Sequence, residues 1–269
     1  MGSSFQYNVL AGFRAVDAWQ QTIVQNVQGL LLPGYNRRKL HIGSAGGTDQ
    51  SPSRGATQQA GSRSASSGGG DTLALQGHSI IFEQGTIDPV GIPTSLAIRG
   101  PGFFMVAEND RPGAKVFLTR NGDFRYDARG RLVSAQGLFV LGGNGAVNLD
   151  ADGRTIGVPR FVIDPGDGTV DLPQVSLAKV PAPHALGFSG YGSTTYEVTP
   201  ASGAIQVFPN GRQPEVGFVQ PSSIEMPSRV GWSGILQAET FQATQTYRVF
   251  KDMLTEFNKT VDDSINLIR

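Results

Sequence analysis

The stretch Leu96-Ala97-Ile98-Arg99-Gly100-Pro101-Gly102-Phe103-Phe104-Met105-Val106 places apolar runs on both sides of a Gly-Pro-Gly break. Gly100 and Gly102 permit a turn there, and the run that follows reads as a buried strand. Outward from this stretch, residues 73–220 keep one character. Short runs rich in Val, Ile, Phe and Thr are separated by turn dipeptides at Asn121-Gly122, Asp152-Gly153, Asp167-Gly168 and Asn210-Gly211, the pattern of an all-β body. Asn121-Gly122 reads as closing a hairpin onto Phe124. Pro159, Pro165, Pro173, Pro181 and Pro183 crowd the middle and favour edge strands and irregular loops.

The two ends of the chain read as helix. Val9, Val16, Ile23 and Leu30 recur every seven residues, with Gly12, Trp19 and Asn26 three residues after the first three. That is a heptad seam over residues 5–30. Pro33-Gly34 stops it, and Arg37-Arg38-Lys39 follow as charges that cap the helix end or pair with acidic neighbours. At the far end, Leu236, Ala243, Phe250 and Phe257 share one seven-residue line, and Thr240, Tyr247, Leu254, Val261 and Ile268 share the next. A helix over 236–268 would be roughly 50 Å long, more than a compact β domain needs to cover itself. The expected fold is a mainly β body with long N- and C-terminal α-helices that pair as a coiled coil.

Four regions are expected. Residues 1–42 form the N-terminal helix and basic turn, which with 221–269 make a helical core domain. Residues 43–72 form a flexible segment that orders on assembly, 73–220 the β body, and 221–269 the C-terminal helix. Between Gly43 and Gly70 the chain holds 8 Gly and 7 Ser and no Val, Leu, Ile, Phe, Tyr, Trp or Met, so it has nothing to bury against the entropy of ordering. The expected assembly interface comprises Val9, Val16, Trp19, Ile23 and Leu30 at the front, and Leu236, Tyr247, Phe250, Leu254, Phe257, Val261 and Ile268 at the back.

Composition narrows the function. Lys plus Arg and Asp plus Glu both total 22 in 269 residues, so no positive field exists to hold nucleic acid. Zero cysteines exclude disulfides, thiolate metal sites and cysteine nucleophiles. No window reaches 18 uninterrupted apolar residues, and MGSSFQYNVLAGF has neither a basic leader nor a small-residue cleavage site, so neither a membrane span nor an ordinary secretory signal is expected. With 16% charged residues and no net charge, little repels a second copy, and self-association is expected.

The chain offers little chemistry. His41, His78 and His184 stand alone, without a second ligand at helical or hairpin spacing. Asn148-Leu149-Asp150-Ala151-Asp152-Gly153 matches the first half of a calcium loop, but its twelfth position is Pro159 where a bidentate Glu is required, so it reads as a turn. Gly142-Gly143-Asn144-Gly145 lacks the Lys-Ser or Lys-Thr of a phosphate cradle, and Asp123 and Asp127 read as a charged outer face. No catalytic, metal or cofactor-binding residue is assigned, and neither an enzyme activity nor a small-molecule substrate is expected.

The same residues resemble the bacterial flagellar rod and hook protein family. The front of the chain, Leu10-Ala11-Gly12-Phe13 through Gln20-Gln21 to Asn26, then Pro33-Gly34-Tyr35-Asn36-Arg37, is similar to that family's N-terminal signature. Four further blocks follow in order: Gln84-Gly85, Leu96 to Val106, Thr119-Arg120-Asn121-Gly122-Asp123-Phe124, and Gly130-Arg131-Leu132 to Leu141-Gly142. Ser223-Ile224-Glu225-Met226, leading into a helix with Ala243, Tyr247 and Asn266-Leu267, resembles the C-terminal segment. Gly29-Leu32 and Thr244-Gln245-Thr246 depart from the family's pattern.

The resemblance implies a subunit of the flagellar basal body that leaves the cytoplasm through the flagellar export apparatus without a cleavable signal. It implies a homo-oligomer, polymerising into a helical tube whose inner wall is the terminal helices and contacting other rod and hook proteins. Its length favours a rod subunit, with a hook-like tube subunit second. A monomeric β-rich adaptor and a hydrolase of envelope polymers remain as alternatives from other classes.

Overall fold

The computed structural model describes residues 2–44, 73–142, 147–150, 152–209 and 212–266. Most of the Gly/Ser-rich segment, the Asn210-Gly211 dipeptide and Ile268 therefore lie outside the described residues. Two helices, α1 (Gly2–Gly29) and α2 (Arg229–Asn266), flank a chain of strands. In order these are β1 (Arg37–Ser44), β2 (Leu73–Ile81), β3 (Thr86–Pro89), β4 (Leu96–Arg99), β5 (Phe103–Ala107), β6 (Val116–Thr119), β7 (Phe124–Tyr126) and β8 (Leu132–Ser134). They continue as β9 (Phe139–Val140), β10 (Leu177–Lys179), β11 (Gly187–Phe188), β12 (Thr195–Glu197), β13 (Gln206–Phe208), β14 (Arg212–Gln213), β15 (Gly217–Pro221) and β16 (Ser223–Met226).

The largest sheet runs β11-β12-β6-β5-β9-β8-β7, with β10 bridging β5 and β13. Its centre is β5, where Phe103, Phe104, Met105, Val106 and Ala107 are all buried. Side chains alternate across a strand. Phe103, Met105 and Ala107 accordingly join a core with Val116, Leu118, Leu141 and Tyr196. Phe104 and Val106 join a second core with Phe117, Phe124, Leu132 and Leu177. A continuous apolar run is what a strand covered on both faces requires. A three-stranded sheet (β14-β15-β4) and two two-stranded sheets (β16-β3 and β1-β2) complete the described pairing.

The chain divides into two compact units. One gathers the chain up to Val24, Leu40–His78 and the chain from Ile235 onward; the other gathers Gln25–Lys39 and Ser79–Gly234.

Two expectations are corrected here. The mainly β architecture with one helix at each end is present, but α1 and α2 do not pair as a coiled coil. Their described ring contacts gather at one place, where Phe13 packs against Tyr247 at 5.4 Å and Phe250 at 5.9 Å. A heptad stripe specifies which face of a helix is apolar and leaves its partner open. Polar positions also break the front seam: Asn26 spends its amide on the main chain of Arg38.

Asn121-Gly122 likewise does not close a hairpin. β6 pairs with β5 and β12, and β7 pairs with β8, so the dipeptide is a crossover between strands that are not neighbours. Long-range packing outweighs local turn preference there: the Gly122 carbonyl accepts from Leu96 N at 2.9 Å. Asp152-Gly153 does form a turn, under an isolated bridge between Leu149 and Thr155. Asp167-Gly168 turns without flanking strands, held by Thr169 N and Oγ1 donating to Asp167 Oδ1.

Candidate functional site

The residues singled out for chemistry do not converge. His41, His78 and His184 are exposed. Asp150 Oδ1 accepts the Asp152 and Arg154 amides at 3.0 and 2.7 Å, which uses the carboxylate to hold the turn. Asp127 accepts a two-point ion pair from Arg131, whose guanidinium lies 4.2 Å from the centre of the Phe139 ring. Arg38 stacks 3.8 Å from the Phe188 ring centre and donates to Gln25 Oε1 at 3.1 Å. Among the described residues, no group of three or more His, Cys, Asp or Glu is arranged to hold a metal ion. Tyr126 is pushed up to about 12 by burial and by the charges of Asp164, Asp167 and Asp171, and its hydroxyl donates to Thr169 O at 2.6 Å as a structural pin.

The helices carry the surface of interest. Of the expected interface residues, Val9, Val16, Ile23 and Leu236 are buried. Trp19, Leu30, Phe250, Leu254 and Phe257 are half-buried, and Tyr247 and Val261 are exposed. The half-buried and exposed members of the α2 line still present apolar surface to water. A further apolar set on α2 was not read from the heptads: Ile235, Phe241, Val249 and Met253, with Phe241 64% and Val249 56% exposed. At about 100° per residue Phe241 lies opposite the Leu236-Ala243-Phe250-Phe257 line and Val249 roughly 110° from its middle, while Ile235 and Met253 flank the line. The signal was available, since Phe241, Val249 and Met253 recur at intervals of eight and four, but a single-stripe search passes over it.

A second constellation ties the roots of both helices into the β unit. At the end of α1, Leu30, Leu31 and Leu32 donate to Val27, Gln28 and Gly29 in a tightened final turn, and Pro33 follows. Gly34 has φ +68, and a Cβ there would sit 2.1 Å from Asn121 N, so glycine is required for both conformation and space. Its amide donates to the Glu225 carbonyl at 2.8 Å. Tyr35 donates its hydroxyl to Asn26 Oδ1 at 3.0 Å, and its ring packs edge-on against Trp232 in the first turns of α2, centroids 6.2 Å apart. Trp232 in turn donates its indole N–H to Glu83 Oε2 at 3.3 Å.

Beneath this lies a buried ion pair. Arg120 Nη1 donates to the carbonyls of Gly100 and Gly102 at 2.7 and 2.8 Å. Glu225 Oε1 accepts from Gln84 Nε2 at 2.7 Å and Gly85 N at 2.8 Å, while Gln84 Oε1 accepts from Gly100 N at 2.8 Å. Burial pushes Glu225 up against the opposing pull of Arg120, and burial pushes Arg120 down against the pull of Glu225. Segments far apart in sequence, each of them part of a recognised block, thus meet at one polar knot. Sequence reading treated Gly100 and Asn121-Gly122 as local turns; the missed signal was a charged residue, Arg120, placed directly after the apolar run of β6.

Residues 97–171 match the family described as flagellar hook protein FlgE/F/G D1 domain. Flagellar hook protein FlgE of Helicobacter pylori is 45% identical over 62 residues, covering 23% of this chain and 8% of that protein. FlgE of Brucella abortus is 42% identical over 62 residues, 23% of this chain and 15% of that protein. Flagellar basal-body rod protein FlgG of Borreliella burgdorferi is 38% identical over 61 residues, 23% of this chain and 22% of that protein. The matched stretch spans less than a quarter of the length of each of these relatives.

Proposed function

We propose that this chain, whose residues 97–171 match the flagellar hook protein FlgE/F/G D1 domain, is a structural flagellar component that self-assembles into a helical tube as an axial rod subunit. The observation that carries this reading is α2, a helix of 38 residues with apolar side chains on two faces. Its half-buried line includes Leu254 and Phe257, Ile235 and Met253 are exposed at the edge of that line, and Phe241 and Val249 are exposed on the far side. Burying the remaining exposed surface of Phe241, Val249 and Met253 against neighbouring subunits contributes about 1–2 kcal/mol each before the cost of association is met.

A hook-like tube subunit is the second reading, since a stretch of 61–62 residues matches rod and hook relatives alike. Among the described residues, no helix is long and apolar enough to cross a membrane. In this reading the subunit passes the inner membrane through the flagellar export apparatus and lies in the basal body beside other rod and hook proteins. Sedimentation of concentrated protein tests the proposal: the wild type pellets as polymer and the Phe241→Asp, Val249→Asp double variant stays in the supernatant. Equal pelleting of both would overturn it.

A further inference from the structure

The roots of the two terminal helices meet at Tyr35. Its hydroxyl is bonded to Asn26, in the last turns of α1, and its ring rests on Trp232, in the first turns of α2. Asn26 is 0%, Tyr35 4% and Trp232 1% exposed, so neither contact is open to exchange with water. Asn26 is itself locked, its amide donating to Arg38 O and accepting from Arg38 N, both at 2.8 Å. On the other side, the amide of Gly34 is bonded to the carbonyl of Glu225, just ahead of α2. Within the two helices, the boundaries between the compact units fall directly beyond these roots, at Val24–Gln25 and Gly234–Ile235.

We infer that Tyr35, with Asn26 and Trp232, is a joint that couples the root of α1 to the root of α2, so that loosening one loosens the other, and that assembly depends on this coupling. The role in assembly rests on the function proposed above; the coupling itself does not. Packing supports it, because a buried ring wedged between two partners has one low-energy placement and passes any shift from one partner to the other. The adjacent Arg120–Glu225 pair fits the same role. Its two side chains are each 5% exposed, and loss of either partner of such a pair leaves an uncompensated buried charge beside the roots.

Amide hydrogen exchange on the full chain tests the joint, reading one root while the other is altered. In Trp232→Ala, exchange at the Tyr35 and Arg38 amides should accelerate tenfold or more, while the β5 amides keep their wild-type rates. Trp232→Phe, which keeps a ring against Tyr35, should restore most of the protection. Unchanged Arg38 exchange in Trp232→Ala would overturn the coupling, as would equal acceleration across β5, which reports a general loss of stability. If Trp232→Ala does not fold, Tyr35→Leu serves in reverse, with the Trp232 amide as reporter: acceleration there supports the joint and an unchanged rate overturns it. Trp232→Ala should also raise the protein concentration needed for polymer. Wild-type protein that forms no polymer would sink the assembly reading and leave the exchange result to decide the joint.

Discussion

Arg120 Nε lies 3.7 Å from Glu225 Oε2, and both side chains are 5% exposed. At this distance the two are an ion pair without a hydrogen bond between those atoms, while Arg120 Nη1 is committed to main-chain carbonyls and Glu225 Oε1 to Gln84 and the Gly85 amide. Burial raises Glu225 above its ordinary 4.5, with Arg120 opposing. A carboxyl raised in the folded state contributes stability that is fully present below its unfolded value and lost as pH rises through its folded value. Relative to Glu225→Gln, which keeps an acceptor for Gly85, the wild type should therefore be most favoured in acid and lose that advantage as pH rises from 4.5. Urea unfolding of both proteins across this range checks the sign; parallel stability curves would contradict it.

Close backbone approach makes a second prediction. A Cβ at Gly122 would lie 1.6 Å from Leu96 O, whereas at Gly157, with φ +81, nothing lies within 4 Å. Gly122→Ala must push β4 away from the crossover and should prevent a native fold, read as lost near-ultraviolet circular dichroism. Gly157→Ala should cost only about 1–2 kcal/mol, the left-handed backbone penalty.

The core makes a third. Phe104 is 0% exposed and meets Phe124 edge-on at 5.2 Å, while Phe218 is 51% exposed. Phe104→Ala should lower the unfolding free energy by about 3–5 kcal/mol, from lost transfer energy and the cavity left behind. Phe218→Ala should change it by no more than about 0.5 kcal/mol. Denaturant titrations of the two variants should differ accordingly.

Much of the fold was legible in local pattern. The heptads located both helices, since amphipathic period survives whatever the helix packs on, and the unbroken run Phe103–Val106 announced a strand covered on both faces. What local pattern could not carry was partnership. The heptads of Val9 and Leu236 looked made for each other, yet Phe13 supplies the described ring contacts between the helices. Asn121-Gly122 has the residues of a hairpin turn and serves a crossover, because β6 finds its partners in β5 and β12. The polar knot joins Gly34, Gln84, Arg120 and Glu225 across most of the chain, and no window of sequence holds more than one of its members together with a partner. The exposed apolar side chains of Phe241 and Val249 were within reach of the same pattern, since the two lie eight residues apart on α2.

The central claim is that the apolar surface of α2 is covered by other copies of the subunit. The measurement that bears on it most directly is a helical reconstruction by electron cryomicroscopy of polymer grown from the purified chain. The account predicts a tube in which Phe241, Val249 and Met253 are buried between neighbouring subunits. A tube in which those side chains face solvent, or a concentrated wild-type protein that remains monomeric, would contradict it.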